Sequence, residues 1–271
     1  MRLTPKQLHN FHITVWSHYD QYARSMPWRE DHSFYRVLVS EMMLQQTQVS
    51  RVVSKFEAFV TRFPDIDILA AARLADVLVM WQGLGYNRRA KYLHDTARYI
   101  VRHGIPTTHE GLVALPGIGV NTAGAIMAYA YNDPTVFIET NIRTVFIHQF
   151  FRDQVQVHDR DIIMLVEQTL DRDNPREWYW ALMDYGSYLK QSNARLQQSI
   201  QYRKQAPLRG SNREMRGMLL RALSRSSVEY LELQKSIDDP RFTTALEGLI
   251  TDGLVERRGS HLCLTGARES S

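Results

Sequence analysis

The feature that most constrains the fold of this 271-residue chain is a short turn, LPGIG at residues 115–119, between two stretches of helical periodicity. Pro116 fixes φ, whereas Gly117 and Gly119 permit φ > 0, so the segment predicts a hairpin between two helices. The second helix is expected to begin near Asn121, with first-turn N–H groups that lack intrahelical partners. Exposed amides at a helix start attract an anionic backbone without reading its sequence. The residues assigned to this phosphate-binding segment are Gly117, Gly119 and Val120.

Helical periodicity dominates the chain from Thr4 to about residue 190, which predicts an all-α fold for this part. Turn residues interrupt the pattern near Phe63-Pro64, Gly83–Gly85, Gly104–Pro106 and Asn132–Pro134. A plain helical hairpin without a binding role is the alternative for LPGIG on its own.

Two acidic residues stand out from this helical pattern. Glu41 lies in the apolar run LVSEMML, and burial disfavours the charged form of a carboxyl group, so Glu41 is a candidate general acid. A solvated glutamate on an amphipathic helix is the alternative. Glu139 follows the hairpin helix in FIETN, where a helix-capping segment is the alternative interpretation.

Together these segments resemble the helix-hairpin-helix DNA glycosylase superfamily, and within it the A/G-specific adenine glycosylases. The matching stretches are MPWRED at 26–31, VSEMMLQQTQV at 39–49, WQGLGYNRRA at 81–90, ALPGIGVNTAGAI at 114–126, ETNIRTV at 139–145 and ALMDYGS at 181–187. The resemblance implies an all-α glycosylase body of two helical subdomains that excises a base from DNA in base excision repair. Three departures are evident: glutamate stands at 139 in place of aspartate, the iron–sulfur cysteines are absent, and the usual C-terminal domain is replaced.

The resemblance implies a role for each acid in breaking an N-glycosidic bond. Glu41 would protonate the leaving purine, at N7, and Glu139 would stabilise the oxocarbenium ion or bond to it transiently. This parallels the two-carboxylate logic of glycoside hydrolysis. Because glutamate reaches farther than aspartate, the substitution at 139 bears on the rate and on the substrate.

Base excision also requires extrusion of the target nucleotide and filling of the gap. The family resemblance assigns the filling to Gln45 and Tyr86, with Gln46 as a further candidate, although Tyr86 could be an ordinary core aromatic. Trp28 and Arg29 resemble the wall of the family's base pocket, where plain core is the alternative for the tryptophan. Arg88 and Arg89 are candidate phosphate contacts, and a solvated charged face would explain them equally well.

Asn121 indicates which reaction should not occur. Bifunctional members of the superfamily carry lysine there, and its amine forms a Schiff base that leads to strand cleavage. Asparagine has no such amine, so a monofunctional glycosylase without AP lyase activity is expected, and Asn121 belongs to the predicted catalytic residues in this sense.

The single cysteine, Cys263, limits the cofactors. One cysteine cannot ligate an iron–sulfur cluster within one chain, and the ten histidines show no metal-ligand spacing, so no cofactor is expected. Hairpin carbonyl groups could hold a monovalent cation, as the resemblance implies. The chain shows neither a signal-peptide pattern nor a run of apolar residues long enough to cross a bilayer. A cytoplasmic, nucleoid-associated monomer is expected, with double-stranded DNA containing a mispaired or damaged base as its partner and no membrane contact.

Three domains are predicted along the sequence: the glycosylase body at 1–189, a basic linker or arm at 190–212, and a C-terminal module at 213–271. From Lys190 to Arg213 there are six basic residues and no acidic one, although the net charge of the chain is only +4. The module has predicted helices at 213–223, 228–237 and 240–252, then a hairpin in LVERRGSHLCL, where Arg257 flanks the turn. That order predicts a small winged-helix-like α+β module, and a helical cap is the alternative.

The resemblance makes excision of adenine opposite 8-oxoguanine or guanine the leading function. Residues 213–271 are too short and too helical for the family's usual 8-oxoguanine-reading domain, so a glycosylase for another lesion stays open. That lesion could be uracil or thymine opposite guanine, or an alkylated purine. The other alternative is a non-catalytic DNA-binding module.

Overall fold

The computed structural model describes residues 1–154, 156–191, 199 and 207–268, and this part of the chain is mostly helical. The fold class predicted from the sequence is confirmed. The helices up to the C-terminal module are α1 (Pro5–Tyr22), α2 (Pro27–Glu30), α3 (Phe34–Leu44), α4 (Val49–Arg62), α5 (Ile66–Ala71), α6 (Leu74–Trp81), α7 (Arg88–His103), α8 (His109–Val113), α9 (Val120–Tyr131), α10 (Thr140–Phe150), α11 (Asp159–Thr169) and α12 (Pro175–Gln191).

Helix boundaries follow the local sequence signals. Thr4 caps α1 through a capping box with Gln7, whose side chain accepts from the Thr4 backbone N–H. The proline and glycine breaks fall where helices end: α4 ends at Arg62 before Pro64, and α7 ends at His103 before Gly104, which has φ +85°.

One compact unit, called unit 1, comprises residues 1–37, 107–113 and 118–204. Helices α10 and α12 pack against each other, and α1, α9 and α11 pack around them. Aromatic rings fill this core: Phe11 lies 5.3 Å from Phe146 and 5.8 Å from Trp178 between ring centroids. Gly186 lets α12 approach α10 closely, because a Cβ at Gly186 would lie 2.3 Å from the backbone oxygen of Asn141 on α10.

The second compact unit, unit 2, comprises residues 38–106, 114–117 and 205–271. Its helical part packs α5 and α6 against α7, and α4 against α6. The C-terminal segment adds α13 (Asn212–Leu223), β1 (Val228–Glu229), α14 (Tyr230–Ser236), α15 (Phe242–Thr251), β2 (Val255–Arg258) and β3 (His261–Leu264). The three strands form an antiparallel sheet in the order β1-β3-β2, and β3 also contacts α6.

The C-terminal segment therefore has the element order of a winged helix, with Gly259 in the β2–β3 turn at φ +62°. The helix predicted from Val228 begins later, because Val228 and Glu229 pair with Leu262 and His261 as the edge strand β1. The helical-cap alternative is wrong, since a cap would not contain the sheet.

The segments group differently in space from the three domains predicted along the sequence. Residues 38–106 of the predicted glycosylase body pack with residues 205–271 in one unit, so the body predicted at 1–189 divides between the two units. Most of the basic arm predicted at 190–212 lies outside the described residues. No helix within the described ranges is long and apolar enough to cross a membrane.

Candidate functional site

Glu41 lies on α3 in unit 2 and is buried, with 8 % of its surface exposed. Its neighbours Leu38, Met42 and Met43 are completely buried. The solvated-glutamate alternative is therefore wrong. Enclosure of a carboxyl group disfavours its ionised form, which favours the protonated state that a general acid requires.

The turn after α3 carries the predicted gap-filling glutamines. The Gln45 side-chain amide donates to the Gly117 carbonyl oxygen at 3.2 Å and lies 3.5 Å from the Met42 sulfur. Gln46 has φ +54°, a left-handed conformation that few residues other than glycine adopt. Such strain persists only where the surrounding structure imposes it.

Arg89 on α7 supplies that constraint. It is 6 % exposed, and its guanidinium donates to the carbonyl oxygens of Met42 at 2.7 Å and Met43 at 2.9 Å, in the last turn of α3. The same group donates to the Gly85 oxygen at 2.9 Å and the Thr47 hydroxyl at 3.0 Å. The prediction of a phosphate contact at Arg89 is wrong, because the guanidinium is buried and saturated by protein acceptors. Arg89 instead ties the glutamine turn to the glycine-rich turn.

Tyr86 follows that glycine-rich turn and also has a left-handed backbone, with φ +47°. Gly83 and Gly85 are exposed at φ +92° and +72°, and Tyr86 is half-buried, so the core-aromatic alternative is wrong. Arg213 at the start of α13 donates to the Tyr86 hydroxyl at 3.0 Å, with its guanidinium 5.4 Å from the ring centroid. The C-terminal segment thus holds the predicted gap-filling tyrosine, a contact absent from the sequence-based prediction.

Arg88 joins the same two parts of unit 2. It forms an ion pair with Asp252 at the end of α15, and Asp252 also pairs with Arg216 on α13. The Arg88 side chain stays 53 % exposed, so its predicted phosphate contact stays a prediction. Lys91, one turn along α7, pairs with Asp95 at 2.6 Å and lies against Gly253.

The hairpin has the expected turn but uses its glycines unequally. Gly117 has φ +74°, and a Cβ there would lie 2.6 Å from the Tyr92 ring, so only glycine fits. Gly119 has φ −89° and does not use the left-handed conformation that glycine permits. It is the N-cap of α9, which begins at Val120, one residue before the predicted start, and Val120 is 62 % exposed.

Two hairpin carbonyl groups bear on the predicted cation. The Pro116 oxygen accepts from the Thr96 hydroxyl at 3.3 Å, and the Gly117 oxygen accepts from Gln45. Each carbonyl retains a second lone pair, so a monovalent cation at this place stays a prediction.

Glu139 lies in unit 1, as the N-cap residue of α10, and is half-buried. The Asn121 side-chain oxygen accepts from the Ile138 N–H at 3.3 Å, which ties the start of α9 to the residue before Glu139. On the other side, the Lys190 ammonium donates to the side-chain oxygen of Asn141 at 2.5 Å. The sequence analysis used Asn121 only to infer that a lyase amine is missing. In the structure its side chain also helps to fix the backbone that carries Glu139.

The electrostatics of Glu139 reflect its enclosure. Burial raises the pKa of Glu139 to about 7, and the positive charges of Lys190 and Arg143 oppose that rise. Arg143 is held by a two-pronged ion pair with Asp159, with both distances 2.7 Å. Burial and the charge of Arg143 in turn lower the pKa of Lys190 to about 8, despite the opposing effect of Glu139. Burial and the two nearby cations therefore act in opposite directions on the ionisation of Glu139.

Trp28 and Arg29, the predicted pocket residues, lie in unit 1. Trp28 is 8 % exposed. Arg29 donates to both carboxylate oxygens of Asp184, at 2.9 and 2.8 Å, and its guanidinium lies 5.2 Å from the Trp180 ring centroid. Asp184 also binds Arg24, and these cations lower its pKa against the opposing effect of burial. The structure gives Arg29 an ion pair with Asp184, and the predicted pocket roles of Trp28 and Arg29 stay predictions.

Among the described residues, no three His, Cys, Asp or Glu side chains are grouped in a way that could hold a metal ion. Cys263 is buried on β3 with its sulfur 3.9 Å from the Glu256 carbonyl oxygen.

Comparison with known proteins identifies the family. The family model for the HhH-GPD superfamily base excision DNA repair proteins matches residues 39–164. An adenine DNA glycosylase of Mycolicibacterium smegmatis is 32% identical over 273 residues, which cover 90% of this chain and 92% of that relative. The chain belongs to the HhH-GPD superfamily of base excision DNA repair proteins. The family match confirms the resemblance that the sequence motifs indicated.

Other relatives are longer than the matched region. An adenine DNA glycosylase of Buchnera aphidicola is 33% identical over 187 residues, or 66% of this chain, and the match spans about half of that relative, 52%. The human adenine DNA glycosylase is 33% identical over 192 residues, covering 65% of this chain and 35% of the human protein.

Solved structures agree in fold. A thermostable thymine-DNA glycosylase matches with a TM-score of 0.59 at 20% identity, covering 67% of this chain and 87% of that one. An endonuclease III–DNA covalent intermediate matches with a TM-score of 0.54 at 16% identity, covering 76% and 91%. At these identities the likeness concerns the fold alone.

Proposed function

We propose that this protein is a monofunctional DNA glycosylase that removes adenine mispaired with 8-oxoguanine or guanine in base excision repair. The observation that carries the proposal is the retention of two enclosed carboxyl groups, Glu41 and Glu139, in a chain that aligns with an adenine DNA glycosylase over 90% of its length. A degenerate, non-catalytic relative has no reason to keep both.

The proposed reaction divides the work between the two acids. Glu41 donates a proton to the adenine, and the C1′–N9 bond breaks with its electron pair leaving on the base. The negative charge of Glu139 stabilises the positive charge that develops on the deoxyribose. Water then adds to C1′ and loses a proton, which leaves an abasic site and free adenine.

Extrusion of the adenine is assigned to the two strained turns of unit 2. Gln45 and Tyr86 would occupy the gap in the base stack, and Arg89 would keep both turns in place. Strained conformations at Gln46 and Tyr86 support this assignment, because backbone strain of this kind concentrates at functional sites. The exposed amides at Val120 would bind a phosphate of the same duplex.

We further propose that the protein works without strand cleavage and without an iron–sulfur cluster. The support is Asn121 at the hairpin position where a lyase has an amine, and a sequence with one cysteine, Cys263. Full-length product strands until alkali treatment, little borohydride trapping, and protein without stoichiometric iron and sulfide are the expected results.

Single-turnover excision on defined duplexes tests the function. The substrates place adenine opposite 8-oxoguanine, guanine or thymine, and uracil or thymine opposite guanine, with an alkylated purine as the last arm. Glu41→Gln should abolish excision with duplex affinity within about twofold of wild type, because glutamine keeps the volume but cannot donate the proton. Glu57→Gln, the same change at an exposed position of α4, is the matched control.

Two results would contradict the proposal. Release of uracil, thymine or the alkylated purine in preference to adenine would assign another substrate. Duplex binding without release of any base would favour a non-catalytic module.

A further inference from the structure

Lys190, which the sequence-based prediction placed in the basic arm, lies in the last turn of α12 and is half-buried beside the start of α10 in unit 1. Its ammonium donates to the Asn141 side-chain oxygen at 2.5 Å, and Asn141 lies two residues after Glu139. The contact is long-range in sequence, so tertiary packing creates it.

Close packing of the two helices fixes this contact. Gly186 lies one turn before Lys190 on α12, and a Cβ at Gly186 would lie 2.3 Å from the Asn141 backbone oxygen. Residues four apart share a helix face. Gly186 and Lys190 therefore lie on the same face of α12, and this face packs against the first turn of α10.

The charged groups around Glu139 differ in how strongly they act on its carboxyl group. The polar groups around Glu139 are the Lys190 ammonium on α12, the Arg143 guanidinium on α10, the Asp159 carboxylate on α11 and the neutral Asn121 amide on α9. The Arg143 charge is largely balanced by its ion pair with Asp159. Lys190 instead makes its hydrogen bond to a neutral amide, so more of its positive charge acts on Glu139.

We propose that Lys190 is a positioning residue of the glycosylase reaction, which holds Asn141 in place and keeps the Glu139 carboxylate charged. The inference rests on the proposed function, because it assigns Glu139 a role in that reaction. The lysine lies in the segment after Gly186, where the family resemblance would place the cluster cysteines. In this chain a cation takes part in organising the start of α10.

The effect of Lys190 on the reaction follows from the sign of its charge. Glu139 must be ionised to stabilise a sugar cation, so the excision rate rises as the pH passes through the pKa of Glu139. Burial already raises that pKa, and the Lys190 charge opposes the rise. Removing the Lys190 charge should raise the pKa of Glu139 further, by about one pH unit for a partly solvated cation.

Single-turnover excision from pH 5.5 to pH 9 with Lys190→Met and Lys190→Arg tests the inference on the full chain. In Lys190→Met the acid limb of the profile should move up by about one pH unit, which lowers the rate at pH 7 by up to about tenfold. Lys190→Arg should restore the wild-type limb, and duplex affinity should stay within about twofold for both variants. Thermal unfolding checks that each variant is folded.

A second measurement makes the inference independent of activity. Carbon-13 NMR of labelled glutamate side chains follows the titration of Glu139, whose signal is identified by its loss in Glu139→Gln. The Lys190→Met change should raise the titration midpoint of Glu139. If the wild-type protein removes no base and this midpoint still moves, the proposed function fails while the electrostatic role of Lys190 stands.

Three outcomes would overturn the inference. An unchanged Glu139 midpoint in Lys190→Met would show that the charge does not act on the carboxylate. Weaker duplex binding with an unchanged pH profile would make Lys190 a phosphate contact. Borohydride trapping of the wild-type protein that disappears in Lys190→Met would make it a nucleophile.

Discussion

Replacing Arg89 with methionine tests how the two strained turns of unit 2 are held. Methionine fills much of the same space but cannot donate a hydrogen bond. The change removes the shared donor that bonds Met42, Met43 and Gly85 at 2.7, 2.9 and 2.9 Å. The expected results are a loss of stability and a separate loss of excision, because Gln46 and Tyr86 lose the constraint on their left-handed backbones.

The expected loss of stability can be estimated from these contacts. Three short hydrogen bonds from a charged donor, at about 2 kcal/mol each, contribute about 6 kcal/mol. Burial lowers the pKa of Arg89 to about 10, a fall that corresponds to a cost of about 3 kcal/mol for enclosing the charge. The net destabilisation is about 3 kcal/mol, or a fall in Tm of about 6–12 °C.

Thermal and urea unfolding measure the first effect, and single-turnover excision well below the variant's Tm measures the second. Arg98→Met, the same substitution at an exposed position of α7, is the control and should change Tm by no more than about 2 °C. Wild-type Tm and excision rate in Arg89→Met would refute the assignment of Arg89 as the link between the turns.

Four further predictions concern Glu139 and the C-terminal segment. Glu139→Asp should retain activity, whereas Glu139→Gln should lose it. Because the pKa of Glu139 is raised in the folded protein, the free energy of unfolding should fall as the pH rises from about 4.5 to about 7. The expected fall is about 1–2 kcal/mol after solvent screening, and Glu139→Gln should abolish it. A double-mutant cycle of Arg213→Met with Tyr86→Phe should give a coupling energy of about 1 kcal/mol in urea unfolding, whereas additive effects would dismiss the hydrogen bond. Arg257→Ala should weaken binding to all duplexes alike and reduce the salt dependence by about one phosphate contact, and a change in base preference would make the C-terminal module a lesion reader.

The sequence predicted those features that local signals determine. Proline and glycine breaks gave the helix ends, the apolar run around Glu41 gave its burial, and the turn residues of LPGIG gave the hairpin. Even the winged-helix order of the C-terminal segment followed from helical periodicity and a glycine-containing hairpin. Local residue choice carries this information because capping, turn geometry and amphipathicity act over a few residues.

Features that depend on long-range contacts were missed or misassigned. Arg88 and Arg89 are adjacent in sequence, yet one is exposed and the other is buried under two turns, a difference set by the direction of each side chain on α7. Arg213 and Lys190 looked like members of one basic arm. Their partners, Tyr86 and Asn141, lie far away in sequence, and no pattern within the arm encodes them.

The interleaved composition of the two units constrains how the chain can fold during synthesis. Unit 1 has all its segments once Lys204 has been made, whereas unit 2 combines residues 38–106 and 114–117 with residues 205–271. At about 5–20 residues per second, the ribosome takes roughly 5–20 s to synthesise the chain between these parts. Throughout this interval the nascent chain exposes the α6 surface that β3 will cover and leaves Tyr86 without Arg213. A premature stop codon after residue 204 would therefore produce a protein with every predicted catalytic residue and an incomplete second unit, a natural target for chaperones and proteases.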